Sequence, residues 1–244
     1  MSKLTPNIDI SLFKIDGVDV ASYRSSSEED VCREQLEKEF DAFERIDYSD
    51  PSHQKELLAM FPEWLIENAH PIDMELFQFM SRYDRRHDTF VAGIFNNDGD
   101  ELRFELISYK RRRMGKIKWM TRKGTHPNNM PFVRIYRDDT PIYVIEGHHD
   151  MLTAILLGLD FIMVPTAGFK DASILKNALL DAFVVFVVED ERAYHCMRGL
   201  AFKIEEIAKR ITLIELSDEQ KYDLSDFVMS KNSIEEVIDE LKNK

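Results

Sequence analysis

The chain has 244 residues, a formal charge of −13, and is 44% hydrophobic and 32% charged. This is enough apolar material for a core in one or two domains, and too much charge for a membrane-embedded protein. No apolar run approaches the roughly 20 residues that a bilayer requires, and MSKLTPNIDI at the start has no apolar signal core, so cytoplasmic residence is expected.

The first 85 or so residues read as mainly helical. A helix is expected from Ser25 to about Arg45, with Ser26 and Ser27 as caps, Glu28, Glu29 and Asp30 at its positive end, and Cys32, Leu36, Phe40 and Phe43 at helical spacing. Further helices are expected over 52–60, 64–68 and 72–83, and the methionines and aromatics there are read as core packing. From Thr89 the texture changes to short alternating runs, with Asn97-Asp98-Gly99 between them as a hairpin signal.

The charge is unevenly placed. Residues 1–100 carry 10 Lys and Arg against 22 Asp and Glu, residues 101–140 carry 11 against 4, and the remainder carries 11 against 19. The basic island holds Lys110, Arg111, Arg112, Arg113, Lys116, Lys118, Arg122 and Lys123, interleaved with Tyr109 and Trp119. Cations supply affinity for phosphates and flat aromatics stack on unpaired bases, whereas a solvated strand pair is the plainer reading of the same residues.

The second half alternates apolar runs with helical patterns. Strands are expected over 142–145, 161–164, 183–188 and 211–216. Helices are expected over 150–157, ending at Gly158, over 172–180, and from Ala193 to Ala208. Continuous apolar strands joined by helices imply a parallel sheet covered on both faces, with its chemistry beyond the carboxyl ends of the strands. Three acidic groups fall there: Glu146 with Asp150, Glu189-Asp190-Glu191, and Asp223 with Asp226. Crowded carboxylates call for a cation, and oxygen-only donors favour Mg2+ or Mn2+ over zinc. His148 and His149 are consecutive, so their side chains diverge and share one ion poorly; a solvent-exposed turn is expected for them. Cys32 and Cys196 fit neither a CxxC metal knuckle nor a disulfide framework, and each is read as a reduced, half-buried packing residue.

The run from Pro141 through Glu146-Gly147-His-His-Asp150 to Gly158 resembles the first motif of the Toprim domain of DnaG-type primases, topoisomerases and some nucleases. Gly168 in the loop after the second strand, Glu189-Asp-Glu191-Arg-Ala193 at the position of the family's Asp-x-Asp, and Lys221-Tyr-Asp223-Leu-Ser-Asp226 extend the resemblance. Upstream, residues 108–119 are similar to the basic strand segment that precedes Toprim in primases. The paired aspartates of the family are glutamates here, and its Ala-Gly is Ala193-Tyr194.

The resemblance implies an α/β fold: a Rossmann-like Toprim sheet over 141–230 with helices on both faces. A basic strand-rich segment over 89–140 and a helical region over 1–88 precede it, and a C-terminal helix over 231–244 follows. Among site residues, Glu146 and Asp150 are implied as catalytic, and Glu189, Glu191 and Asp223 as ligands of Mg2+ or Mn2+. Lys110, Arg111, Arg112, Arg113, Lys116 and Lys118 are implied as holders of nucleic acid or nucleotide. Gly147 and Gly168 are implied as structural, Gly147 by allowing a sharp turn that aims Glu146. The implied activity is metal-dependent nucleotidyl or phosphoryl transfer, in first place RNA primer synthesis on single-stranded DNA from nucleoside triphosphates, with a replication protein such as a helicase as partner. A catalytically degenerate nucleic-acid-binding protein and a Toprim nuclease are the alternatives.

Overall fold

The structure, a computed structural model, describes residues 33–98, 103–112, 119–123, 125, 131–136, 140–166, 168–216 and 222–244. It opens with α1 (Arg33–Asp41), which buries Leu36 and Phe40 one turn apart. The short strand β1 (Glu44–Arg45) leads to α2 (Pro51–Leu58), where the Asp50 carboxylate accepts the Ser52 N–H at 2.8 Å and Pro51 occupies the first turn. Next come α3 (Glu63–Asn68) and α4 (Pro71–Met80).

The helix expected to reach residue 83 stops at Met80. Residues 81–84 form β2 (Ser81–Asp84), antiparallel to β3 (Thr89–Asp98), because pairing of Ser81 with Ala92 and Asp84 with Thr89 outweighs the local helical pattern. With β4 (Arg103–Arg112) and β5 (Trp119–Thr121) they make an antiparallel sheet in the order β1-β2-β3-β4-β5, whose β3–β4 pair is the hairpin read from the sequence. The Gly99 end of its turn, Arg113, Lys116, Lys118, and the expected helix before Arg33 lie outside the described residues.

The second sheet contains β6 (Phe132–Arg134), β7 (Ile142–Glu146), β8 (Asp160–Val164), β9 (Phe183–Val188) and β10 (Arg210–Glu215) in the order β10-β9-β7-β8-β6. All pairs are parallel except β6 with β8. Helices α5 (Gly147–Leu156), α6 (Ser173–Ala178) and α7 (Glu191–Ile204) connect the parallel strands, and α8 (Leu224–Met229) and α9 (Ile234–Asn243) follow. Along β7 the pleat sends Tyr143 and Ile145 to one core and Ile142 and Val144 to the other, so both faces are buried. The first core includes α5, α8, α9 and the N-terminal helices; the second is closed by α6 and α7.

Two features join the parallel-containing sheet to the N-terminal half. Phe104, Phe132 and Phe161 stack at centroid spacings of 6.0 and 6.1 Å. Arg134, fully buried on β6, pairs with Asp73 of α4 and donates to the Leu159 carbonyl at 2.5 Å. Among the described residues no helix is long and apolar enough to cross a membrane.

Candidate active site

Strand β7 ends at Glu146, which is also the N-cap of α5, and Gly147 follows with φ +83°. That backbone is strained for a residue with a side chain, while the space where a Cβ would sit is open, so conformation alone selects glycine there. Strand β9 ends just before Glu189, and α8, which follows β10, is capped by Asp223. The parallel strands therefore deliver three acidic segments to one edge of the sheet.

There a carboxylate oxygen each from Asp150, Glu189 and Asp223 lies within 4.8 Å of the others. Burial, and next the charge of Glu146, pushes the Glu189 carboxyl up to about 8. Burial, opposed by the Asp226 N–H and reinforced by the Asp226 charge, pushes Asp223 up to about 6. Asp150 is 2% exposed and stands well above the usual carboxylate range through burial and the charge of Asp223. It accepts the Ser225 N–H at 3.0 Å, the Ser225 hydroxyl at 2.8 Å and the Leu224 N–H at 3.3 Å, so it also holds the N-terminus of α8. These donors favour the charged form, and burial still wins.

The residues fit a hard divalent cation. Oxygens around an octahedral Mg2+ at about 2.1 Å lie roughly 3–4 Å apart, a modest contraction of the observed group. One buried and two half-buried carboxyls, all raised by burial and by neighbouring acidic charge, are the donor set that such an ion relieves. Glu191 is elsewhere: it is the first residue of α7 and is exposed, while Asp190 caps that helix by accepting the Ala193 N–H at 2.8 Å. Gly168 lies in the turn after β8, with room for a Cβ.

The basic strand spreads its cations over both faces. The Lys110 ammonium donates to His148 Nδ1 at 3.1 Å. The Arg111 guanidinium lies over the Phe43 ring, with Nε 3.1 Å from Asp84 Oδ2 but out of line for a hydrogen bond. Arg112 donates to the Ala59 carbonyl at 3.1 Å and to the Glu56 carbonyl at 3.4 Å.

The histidine pair differs from expectation. His148 and His149 lie within α5, and burial lowers their imidazoles to about 3 and about 4. The signal for this was the spacing of His148 with Leu152 and Ile155, which places it on the buried face of a helix beginning at Gly147 rather than at Asp150. Cys196 is half-buried, as expected.

No protein-family model matches the sequence, and no curated protein matches it. Solved structures do. The DnaG primase catalytic domain bound to ssDNA superposes with a TM-score of 0.55 at 13% identity, over 86% of this chain and 80% of that one. The DnaG catalytic core gives 0.54 at 13% identity, over 86% and 79%. A DNA primase domain from Pseudomonas aeruginosa gives 0.52 at 12% identity, over 87% and 78%. The chain has the fold of a DnaG primase catalytic core. The DnaG-like likeness is one of backbone path, with little sequence in common.

Proposed function

We propose that the chain is a metal-dependent nucleotidyltransferase of nucleic-acid metabolism, a primase-type core that joins ribonucleotides on a single-stranded DNA template. The observation that carries this reading is the convergence of Asp150, Glu189 and Asp223 at the carboxyl edge of the parallel sheet of a DnaG-like fold. The DnaG domain with that fold bound to ssDNA makes single-stranded DNA the first template to test. Nucleoside triphosphates would be the substrates, and a replicative helicase is the partner class to test.

Asp150, Glu189 and Asp223 would hold Mg2+ or Mn2+. Such an ion, when bound, neutralises charge on the phosphate oxygens during in-line displacement. Glu146, whose charge already acts on Glu189, would accept the proton of the attacking hydroxyl as the new phosphodiester forms and pyrophosphate leaves. Gly147 turns the chain so that Glu146 closes β7 while α5 begins. Lys110 and Arg111, with Arg113, Lys116 and Lys118, would take phosphates of template or nucleotide.

A binding-only protein on the same scaffold is the second reading, favoured by the position of Glu191 outside the carboxylate group. Incubation with single-stranded DNA, labelled ribonucleotides and Mg2+ or Mn2+ separates the two. Short oligonucleotides from the wild type, absent with Glu146→Gln, support the primase. No product with salt-sensitive DNA binding retained in both proteins supports the binding protein, and degradation of a labelled strand points to a nuclease.

A further inference from the structure

The first turn of α5 meets β4 at a hydrogen bond from Lys110 Nζ to His148 Nδ1, 3.1 Å long. An ammonium group only donates, so Nδ1 is the acceptor and the ring proton sits on Nε2. That Nε2 is buried with no hydrogen-bond partner among the described residues, and His148 as a whole is 4% exposed. A buried donor without a partner is unfavourable, and a leucine of similar size would avoid it. What the imidazole supplies here is an acceptor that fixes one lysine.

That lysine differs from its neighbours. Arg111, Arg112 and Arg122 each face a carboxylate, of Asp84, Glu56 and Glu39 respectively. Lys110 has no ion pair among the described residues, and it is partly buried. Its ammonium stands against His148, in the first turn of the ten-residue helix α5. A partly buried cation held at the first turn of a helix, with no ion pair among the described residues, is arranged for an oxyanion.

We propose that His148 is a positioning residue, whose Nδ1 holds the Lys110 ammonium at the first turn of α5 to receive a phosphate group. The identity of the phosphate's owner rests on the primase-type reading, whereas the His148–Lys110 geometry does not. The phosphate would belong to a nucleotide tail or to a strand backbone, and two probes tell these apart.

Binding of inorganic triphosphate in Mg2+, by calorimetry, and of a fluorescent single-stranded oligo-dT, by anisotropy across a salt series, is measured for the wild type and four variants, with thermal melting to verify folding. Lys110→Gln should weaken at least one probe by about tenfold, and His148→Leu should weaken the same probe as much. His148→Asn, whose amide oxygen can stand where Nδ1 stands, should bind within about threefold of wild type. Adding His148→Leu to Lys110→Gln should cause no further loss. A loss confined to triphosphate assigns a nucleotide tail; a loss confined to oligo-dT, with a salt slope shallower by about 0.7, assigns a strand phosphate. The proposal is overturned if Lys110→Gln leaves both probes unchanged, if His148→Leu binds as wild type, or if the Asn and Leu variants lose binding equally. Because neither probe reports synthesis, failure to make primers would leave this result standing.

Discussion

Partial burial, and next the charges of four neighbouring acids, push the Glu189 carboxyl up to about 8. A carboxyl raised above its unfolded value stabilises the folded chain fully below pH about 4.5, and that contribution is lost as pH rises through about 8. Asp223, raised to about 6, acts in the same direction over a lower window. Above pH 7, where the lowered His148 and His149 imidazoles no longer matter because the unfolded chain does not protonate them either, the cation-free protein should therefore melt a few degrees lower at pH 8.5 than at pH 7. Added Mn2+ should restore most at the alkaline end, where the carboxylates are free of protons. Melting scans with chelator and with Mn2+ check this, and a flat profile would count against a buried, like-charged group. Which acids meet was only partly legible in sequence. Asp223 and Glu189 were readable as strand-end acids, and Asp150 as a partner of Glu146. The outward placement of Glu191 was not, because it depends on Asp190 rather than Glu191 ending the turn before α7.

The contact between α5 and α8 is made by Thr153, whose hydroxyl meets that of Ser225, and by Asp150, which takes two N–H groups and a hydroxyl from the first turn of α8 and also faces the other two acids. Removing the acceptor and removing the charge should differ. Asp150→Ala leaves buried donors unsatisfied and should cost about 2–4 kcal/mol by urea unfolding. Asp150→Asn keeps one acceptor oxygen and removes a repelling charge; it should cost less than about 1 kcal/mol while abolishing stabilisation by Mn2+. Equal losses in the two variants would remove Asp150 from the cation site. At this scale the sequence served best where a helix carries its own stop, as Gly158 does at φ +68° after α5. It served worst at residues 81–84, whose helical pattern yields to pairing with a strand read correctly only a few residues later.

Across the whole molecule, one buried core runs from Leu36 to Leu241 and ties the N-terminal helices to one face of the parallel sheet. The parallel sheet was legible because its strands are apolar on both faces. The edge strand β6 was not, since its three residues carry a buried arginine whose partner, Asp73, lies 61 positions earlier. Asp73→Ala leaves that guanidinium buried without its anion and should cost about 3–5 kcal/mol by urea unfolding. An effect under about 1 kcal/mol would show that the Leu159 carbonyl suffices. The proposed chemistry requires the acidic edge to be a metal centre. Calorimetric titration of the wild type and Glu189→Gln with Mn2+ at pH 7.5 tests this most directly. We expect saturable binding with proton release in the wild type and at least about tenfold weaker binding in the variant. No binding, or equal binding in both proteins, would contradict it.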